Sequence, residues 1–166
     1  MEAQWQDDAS TALEALQLRI TRLEDERAIL DTLHRYGQTI DSGLDRAWAE
    51  LFTDDGVFLC IDRFGNAIVR EEGREALAKW VRDFKAGETL QMKHCVLAPV
   101  VVINGDTAEV VSQYANLVEN QDRYAPPQIR FMGSYRDEMV RDIDGKWRFR
   151  QRTSLTDAPL VNLPTD

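Results

Sequence analysis

From Met92 onward the apolar residues stop recurring every three or four positions and begin to alternate, and the alternation persists through most of the remaining chain. Side chains of an extended strand point to opposite faces in turn, so a tract of this kind folds as sheet with one covered face. Turn residues divide it. Asn104-Gly105-Asp106 and Asp144-Gly145 are hairpin signals, whereas the stretch from Asn120 to Gln128, with Pro126-Pro127, cannot continue a hydrogen-bonded ladder. The strands read from this pattern are 92–103, 107–119, 129–141 and 146–154, in two hairpins, followed by a proline-containing tail over 156–166.

Upstream the period is helical. Thr11-Ala12-Leu13-Glu14 has the form of a capping box and marks a helix start, with residues 1–10 expected to be loosely held. Leu13, Leu16, Ile20 and Leu23 line a narrow stripe suited to packing on the domain or on a neighbouring subunit. After Glu24-Asp25-Glu26-Arg27 the apolar face resumes with Ile29, Leu30, Leu33, Tyr36 and Ile40, which puts Tyr36 in the buried sector and His34 and Asp41 together near its edge. Ser42-Gly43-Leu44-Asp45 can cap a short second helix carrying Ala47, Trp48, Leu51 and Phe52. Thr53-Asp54-Asp55-Gly56 then reads as a turn, 57–61 as a strand, Arg63-Phe64-Gly65-Asn66 as a hairpin turn and 67–70 as the return strand. A third helix follows Gly73, with Leu77, Trp80, Val81 and Phe84 on one side. Helices followed by long antiparallel strands imply an α+β fold, and 166 residues suit one domain, here bounded at 11–155.

Composition removes several function classes. A net charge of −9 opposes phosphate binding, so no nucleic-acid partner is expected. No apolar run approaches the ~18 residues of a membrane span, and Met1-Glu2-Ala3-Gln4 lacks the basic and apolar regions of a signal peptide; the expectation is a cytoplasmic protein without a membrane partner. Cys60 and Cys95 each sit in an apolar run and read as buried, reduced thiols.

The chain has only two histidines. His94 lies in a strand beside Met92, Cys95 and Val96, its ring facing the enclosed side or the sheet edge. A histidine ring titrates near about 6.5 when unperturbed, which suits a general base near neutrality. Tyr36 is either a core tyrosine bonded to a carbonyl or a hydroxyl offered to a pocket, and Asp41 either closes a helix end or carries chemistry. His34, Asp41 and His94 have no metal-ligand spacing, and neither a phosphate loop nor a nucleotide fingerprint is present; no metal and no cofactor is expected.

Five segments together carry a family likeness: Arg35-Tyr36-Gly37-Gln38-Thr39-Ile40-Asp41, Leu51 through Phe58, Gly73-Arg74-Glu75-Ala76-Leu77, Lys93-His94, and Gly133-Ser134-Tyr135 with Trp147-Arg148-Phe149. In order and spacing they resemble the SnoaL-like branch of the NTF2-like superfamily, over nearly everything from Arg22 to Thr153. The resemblance implies a cone-shaped α+β barrel, N-terminal helices packed in a strongly curved, mostly antiparallel sheet around a deep apolar pocket. Tyr36, Asp41 and His94 look like the active-site set of scytalone dehydratase, bile-acid 7α-dehydratase and hexachlorocyclohexane dehydrochlorinase. By that similarity His94 is the general base, Asp41 orients it, and Tyr36 donates to a carbonyl or leaving-group oxygen. Asn116, Trp48 and Tyr114 are the candidate substrate contacts. Scytalone dehydratase has a second pocket histidine, and no histidine follows His94 here, so the proton donor to the leaving group is unassigned.

The expected activity is a cofactor-independent lyase or isomerase on a small apolar, ring-containing molecule. The same fold also supports a polyketide-cyclase-like aldol enzyme or a non-catalytic binding or assembly subunit, and fold alone does not choose among them. An enzyme should keep a pocket open beside its base, whereas a scaffold should fill it. The Leu13 stripe and the strands after Met92 offer enough apolar surface to expect a homo-oligomer, a dimer or trimer.

Overall fold

In the computed structural model, which describes the backbone of residues 2–122 and 124–159 and the side chains of 10–122 and 124–156, the elements run α1 (Glu2–Asp41), α2 (Asp45–Ala49), β1 (Phe52–Ile61), β2 (Ala67–Glu72), α3 (Arg74–Gly87), β3 (Met92–Asn104), β4 (Thr107–Val118), β5 (Gln128–Arg141) and β6 (Trp147–Pro159). The strands form one sheet in the order β2-β1-β6-β5-β4-β3, antiparallel throughout except where β1 lies parallel to β6. β2 and β3 are its edges, so the sheet curves without closing. The α+β, NTF2-like architecture read from the sequence is the one adopted.

Alternation places the core. Ala108, Val110, Ser112, Tyr114 and Asn116 of β4 are buried, as are Tyr135, Asp137 and Met139 of β5, while their odd-phase neighbours face outward. Against this inner face lie the α1 residues Ile29, Leu33, Tyr36 and Ile40, with Leu77 and Val81 of α3. A chain of aromatic rings joins the layers: Trp48 touches Tyr36, Phe52, Phe58 and Trp80 at centroid separations of 4.9–5.6 Å.

Three local expectations are corrected. Helix α1 does not begin at Thr11; it is continuous from Glu2, because nothing between Glu2 and Ser10 breaks a helix, and inside a helix a capping-box sequence finds its backbone donors already bonded. Residues 53–56 do not form a separate turn. They belong to β1 as a bulge, since Phe52 already pairs with Phe149 and the register resumes at Val57 opposite Gln151. The strand expected to end at Ser154 continues as β6 to Pro159, with Thr156 opposite Gly133 and Ala158 opposite Met132. The rest of the expected tail lies outside the described residues.

Two clamps fix α1 on the sheet. Asp25, buried, accepts from Arg141 Nη2 at 2.6 Å and Trp147 Nε1 at 3.1 Å, and Thr32 Oγ1 donates to the Trp147 carbonyl at 2.9 Å. The Arg141 guanidinium beside Asp25 holds its carboxyl below the usual range. At the other end Gly37 lets the helix backbone settle on β3: a Cβ there would lie 2.5 Å from the His94 carbonyl oxygen. Gly37→Ala is therefore expected to cost about 1–3 kcal/mol through overpacking, outweighing the ~1 kcal/mol gained in helix propensity. A lowered urea midpoint is the check; an unchanged or raised midpoint would show that the helix can lift without penalty.

Candidate functional site

Helix α1 stops where its last carboxylate meets β3. Gly43, at φ 67, closes the helix in a left-handed conformation, with its N–H donating to Ile40 O and that of Leu44 to Thr39 O. The stop leaves Asp41 facing the start of β3. Its Oδ1 lies 2.7 Å from His94 Nδ1, and Oδ2 accepts the His94 backbone N–H at 3.0 Å. Both side chains are nearly excluded from water, at 7% exposure for His94 and 6% for Asp41. A carboxylate at the negative end of a helix is disfavoured by the macrodipole, so these donors are what hold it there. The tautomer that carries its proton on Nδ1, facing Asp41, leaves the lone pair on Nε2.

A cleft of about 560 Å³ opens beside this pair, with Leu33, Gly37, Asp41, Ser42, His94 and Val96 in its wall. The cleft is open to the surface, with His34, Gln38, Lys93 and Leu117 also on its rim; it is the burial of the His94 side chain, its ring flanked edge-on by Tyr36 and Phe84 at 6.3 Å, that turns it inward from the outer sheet surface. Tyr36 is 1% exposed and sits deeper. Burial pushes its phenol up, partly offset by the neighbouring Arg152 charge and a hydrogen bond with Tyr135. Asn116 pairs with His94 across β3 and β4 and is buried with its Oδ1 unbonded. Trp48 is fully buried in the aromatic core, and the Tyr114 hydroxyl pairs with Thr156 Oγ1 at 2.9 Å; neither lines the cleft. Among the described residues, no cluster of three histidine, cysteine or carboxylate side chains is placed to hold a metal ion.

A family model described as a SnoaL-like domain matches residues 21–153. The chain belongs to the SnoaL-like family. Solved structures agree on the fold. An NTF2-like protein with a cystatin-like fold from Novosphingobium aromaticivorans superposes with a TM-score of 0.75 at 24% identity, covering 90% of each chain. The beta subunit of a putative aromatic-ring-hydroxylating dioxygenase from the same organism gives 0.72 at 21%, covering 86% of this chain and 95% of that one. ActVI-ORFA from Streptomyces coelicolor gives 0.68 at 21%, covering 80% and 97%. None of the curated proteins matches in sequence.

This SnoaL-like chain also carries a pair that sequence reasoning missed. Arg152 and Asp137 are directly opposite on β6 and β5, both side chains 0% exposed, with Nε 3.2 Å from Oδ1. Distance makes this an ion pair, yet the alignment makes no hydrogen bond: all three guanidinium nitrogens and both carboxylate oxygens lack a partner. The guanidinium lies over the rings of Tyr36 and Tyr135, 3.9 Å from each centroid, and 4.6 Å from that of Phe149. Desolvated stacking of this kind is worth about 2 kcal/mol, which offsets part of the cost of burying the cation.

Asp137 gains less. Burial pushes its carboxyl up to about 6 against the pull of Arg152. Between the ordinary value of 3.8 and about 6 the folded chain keeps a proton that the unfolded chain has lost. The contribution of this group is thus full below about 3.8 and is lost as pH rises through about 6. The difference is ~3 kcal/mol at about 1.36 kcal/mol per pH unit. Urea titrations of wild type and Asp137→Asn between these limits should diverge with pH by roughly that amount; parallel curves would place the Asp137 carboxyl in water.

Proposed function

We propose that this protein is a cofactor-independent lyase or isomerase that removes a proton from carbon next to a carbonyl in a small, mostly apolar cyclic substrate. The observation that carries the reading is the water-shielded hydrogen bond between Asp41 and His94 Nδ1, 2.7 Å long, at the wall of a cleft. In an elimination, His94 Nε2 takes the proton, and the C–H electron pair becomes the C=C bond of an enolate as the carbonyl pair moves onto oxygen. When the carbonyl re-forms, the enolate pair moves to the Cα–Cβ bond, the β C–O bond breaks, and the leaving hydroxyl takes the proton back from the imidazolium and departs as water. Asp41 fixes the tautomer and stabilises the imidazolium. The Arg152 guanidinium, stacked on the Tyr36 and Tyr135 rings with its three nitrogens unbonded, is the buried positive group we assign to an oxyanion. Of the substrate contacts expected, Asn116 is the one in register with His94, although like Trp48 and Tyr114 it does not line the cleft.

A scaffold gains nothing from a shielded histidine–carboxylate pair facing a cleft, which favours the enzyme over the binding-module reading. The aldol-cyclase reading uses the same base and differs only in where the enolate goes. The test is a panel of bicyclic β-hydroxy ketones, with enone formation followed by ultraviolet absorbance for wild type and His94→Ala. Turnover by wild type that His94→Ala loses supports the proposal. Binding of the panel without turnover by either protein would make this a binding module.

The same proposal includes self-association. Leu97, Val100 and Val102 of β3 and Val111 of β4 face outward and are 47–65% exposed, an apolar strip on the convex face of the sheet.

A further inference from the structure

The first turns of α1 stand away from the domain. From Ser10 to Glu24 every described residue is exposed, and the first buried residue is Asp25, the root of the Arg141 and Trp147 clamp. That leaves about 22 Å of helix at 1.5 Å per residue without support from the domain, and an isolated helix of this length is marginal in water. The match to the family model begins at residue 21, so most of the arm lies outside it. It is also amphipathic: Leu13, Leu16, Ile20 and Leu23 form one stripe, 51–66% exposed.

We infer that the arm pairs with the arm of a second copy of this chain as a short, parallel, in-register two-helix coil. The inference rests on the proposal that the protein is a homo-oligomer. Leu13 and Ile20 occupy the first position of successive heptads and Leu16 and Leu23 the fourth, and a β-branched residue at the first position with leucine at the fourth favours two strands. Charge sets the direction. In a parallel pair the residue before Ile20 faces the residue after Leu23 of the other helix, which places Arg19 against Glu24 of the second copy, twice by symmetry. An antiparallel pair that matches the same four apolar layers sets Arg19 against Arg19. The parallel seam ends at Arg27, where like charges would meet; there Arg27 turns to Asp31 of its own helix at 3.2 Å, and Asp25 draws α1 back onto its own domain.

The experiment is disulfide trapping of the full chain carrying Cys60→Ala and Cys95→Ala, with circular dichroism confirming the fold. Leu16→Cys should cross-link to a covalent dimer on mild oxidation, and Leu18→Cys, on the opposite face, should do so at least ~10-fold more slowly, because in a parallel pair position 16 meets its own copy across the seam and position 18 points away from it. Arg19→Glu in the Leu16→Cys chain should slow trapping, and adding Glu24→Arg should restore it. Cross-linking only between Leu16→Cys and Ile20→Cys chains would overturn the parallel direction. Equal trapping at 16 and 18, or no trapping of Leu16→Cys with either itself or Ile20→Cys, would overturn the arm contact; sedimentation of the wild type as an oligomer would then leave homo-oligomerisation intact, and sedimentation as a monomer would remove both.

Discussion

His94→Ala is expected to lower kcat by about 10²–10⁴-fold, the usual worth of a positioned general base, and Asp41→Asn by a comparable factor with the fold retained. The second substitution is the more telling. Asp41 holds both the backbone N–H and Nδ1 of His94. An asparagine in the same place can keep its oxygen on the backbone N–H, which turns its amide group toward Nδ1. A donor facing Nδ1 selects the tautomer with the proton on Nε2, where the base needs its lone pair. The corresponding change in a serine-protease triad costs about 10⁴ in kcat. Tyr36→Phe should cost less, because Tyr135 and Arg152 share its end of the interior. Turnover, circular dichroism and the ¹⁵N shifts of the imidazole together check the set; full activity in Asp41→Asn would mean that the tautomer is set elsewhere.

The helices, hairpins and inner face were legible because each has a local physical signal: period, turn residues, alternation. The dyad was legible because Asp41 ends a helical face just before a Ser-Gly stop and His94 sits early in a strand. Arg152 was not. Counting alternately from Trp147 and Phe149, both inward, puts residue 151 inward and Arg152 in solvent, where a charged residue belongs. The structure inserts Arg150 as an extra residue: Met139 faces Phe149, but Glu138 faces Gln151, and this one-residue slip turns Arg152 into the core. Asp137 could have been found, since it keeps phase with Tyr135 and Met139; its carboxylate reads as outward only if charge is allowed to outweigh register. Trp48 and Tyr114 illustrate the opposite limit. Sequence identifies them as large rings on covered faces, and only packing reveals that one fills the core and the other is bonded to Thr156.

The buried pair separates stability from function. Removing one partner leaves an uncompensated charge inside the sheet, so Asp137→Leu, with Arg152 intact, is expected to lose about 3–5 kcal/mol. Arg152→Met should lose less, because Asp137, with its carboxyl already raised to about 6, can take up a proton, whereas a guanidinium keeps its charge at any working pH. The double variant Asp137→Leu/Arg152→Met removes both desolvation costs and fills similar volume, so it should recover the losses of the single variants and equal or exceed wild type by up to about 1–4 kcal/mol. Urea unfolding of the four proteins closes the cycle, and strict additivity of the two single losses would show that the groups do not interact. Activity should run the other way. In the proposed function the Arg152 guanidinium, with its three nitrogens unbonded, faces the oxyanion. The stabilised double variant should therefore fold well and turn over at least ~10²-fold more slowly, the scale of losing one oxyanion donor. A stable double variant with wild-type turnover would reduce Arg152 and Asp137 to a packing detail and leave the chemistry to His94 and Asp41.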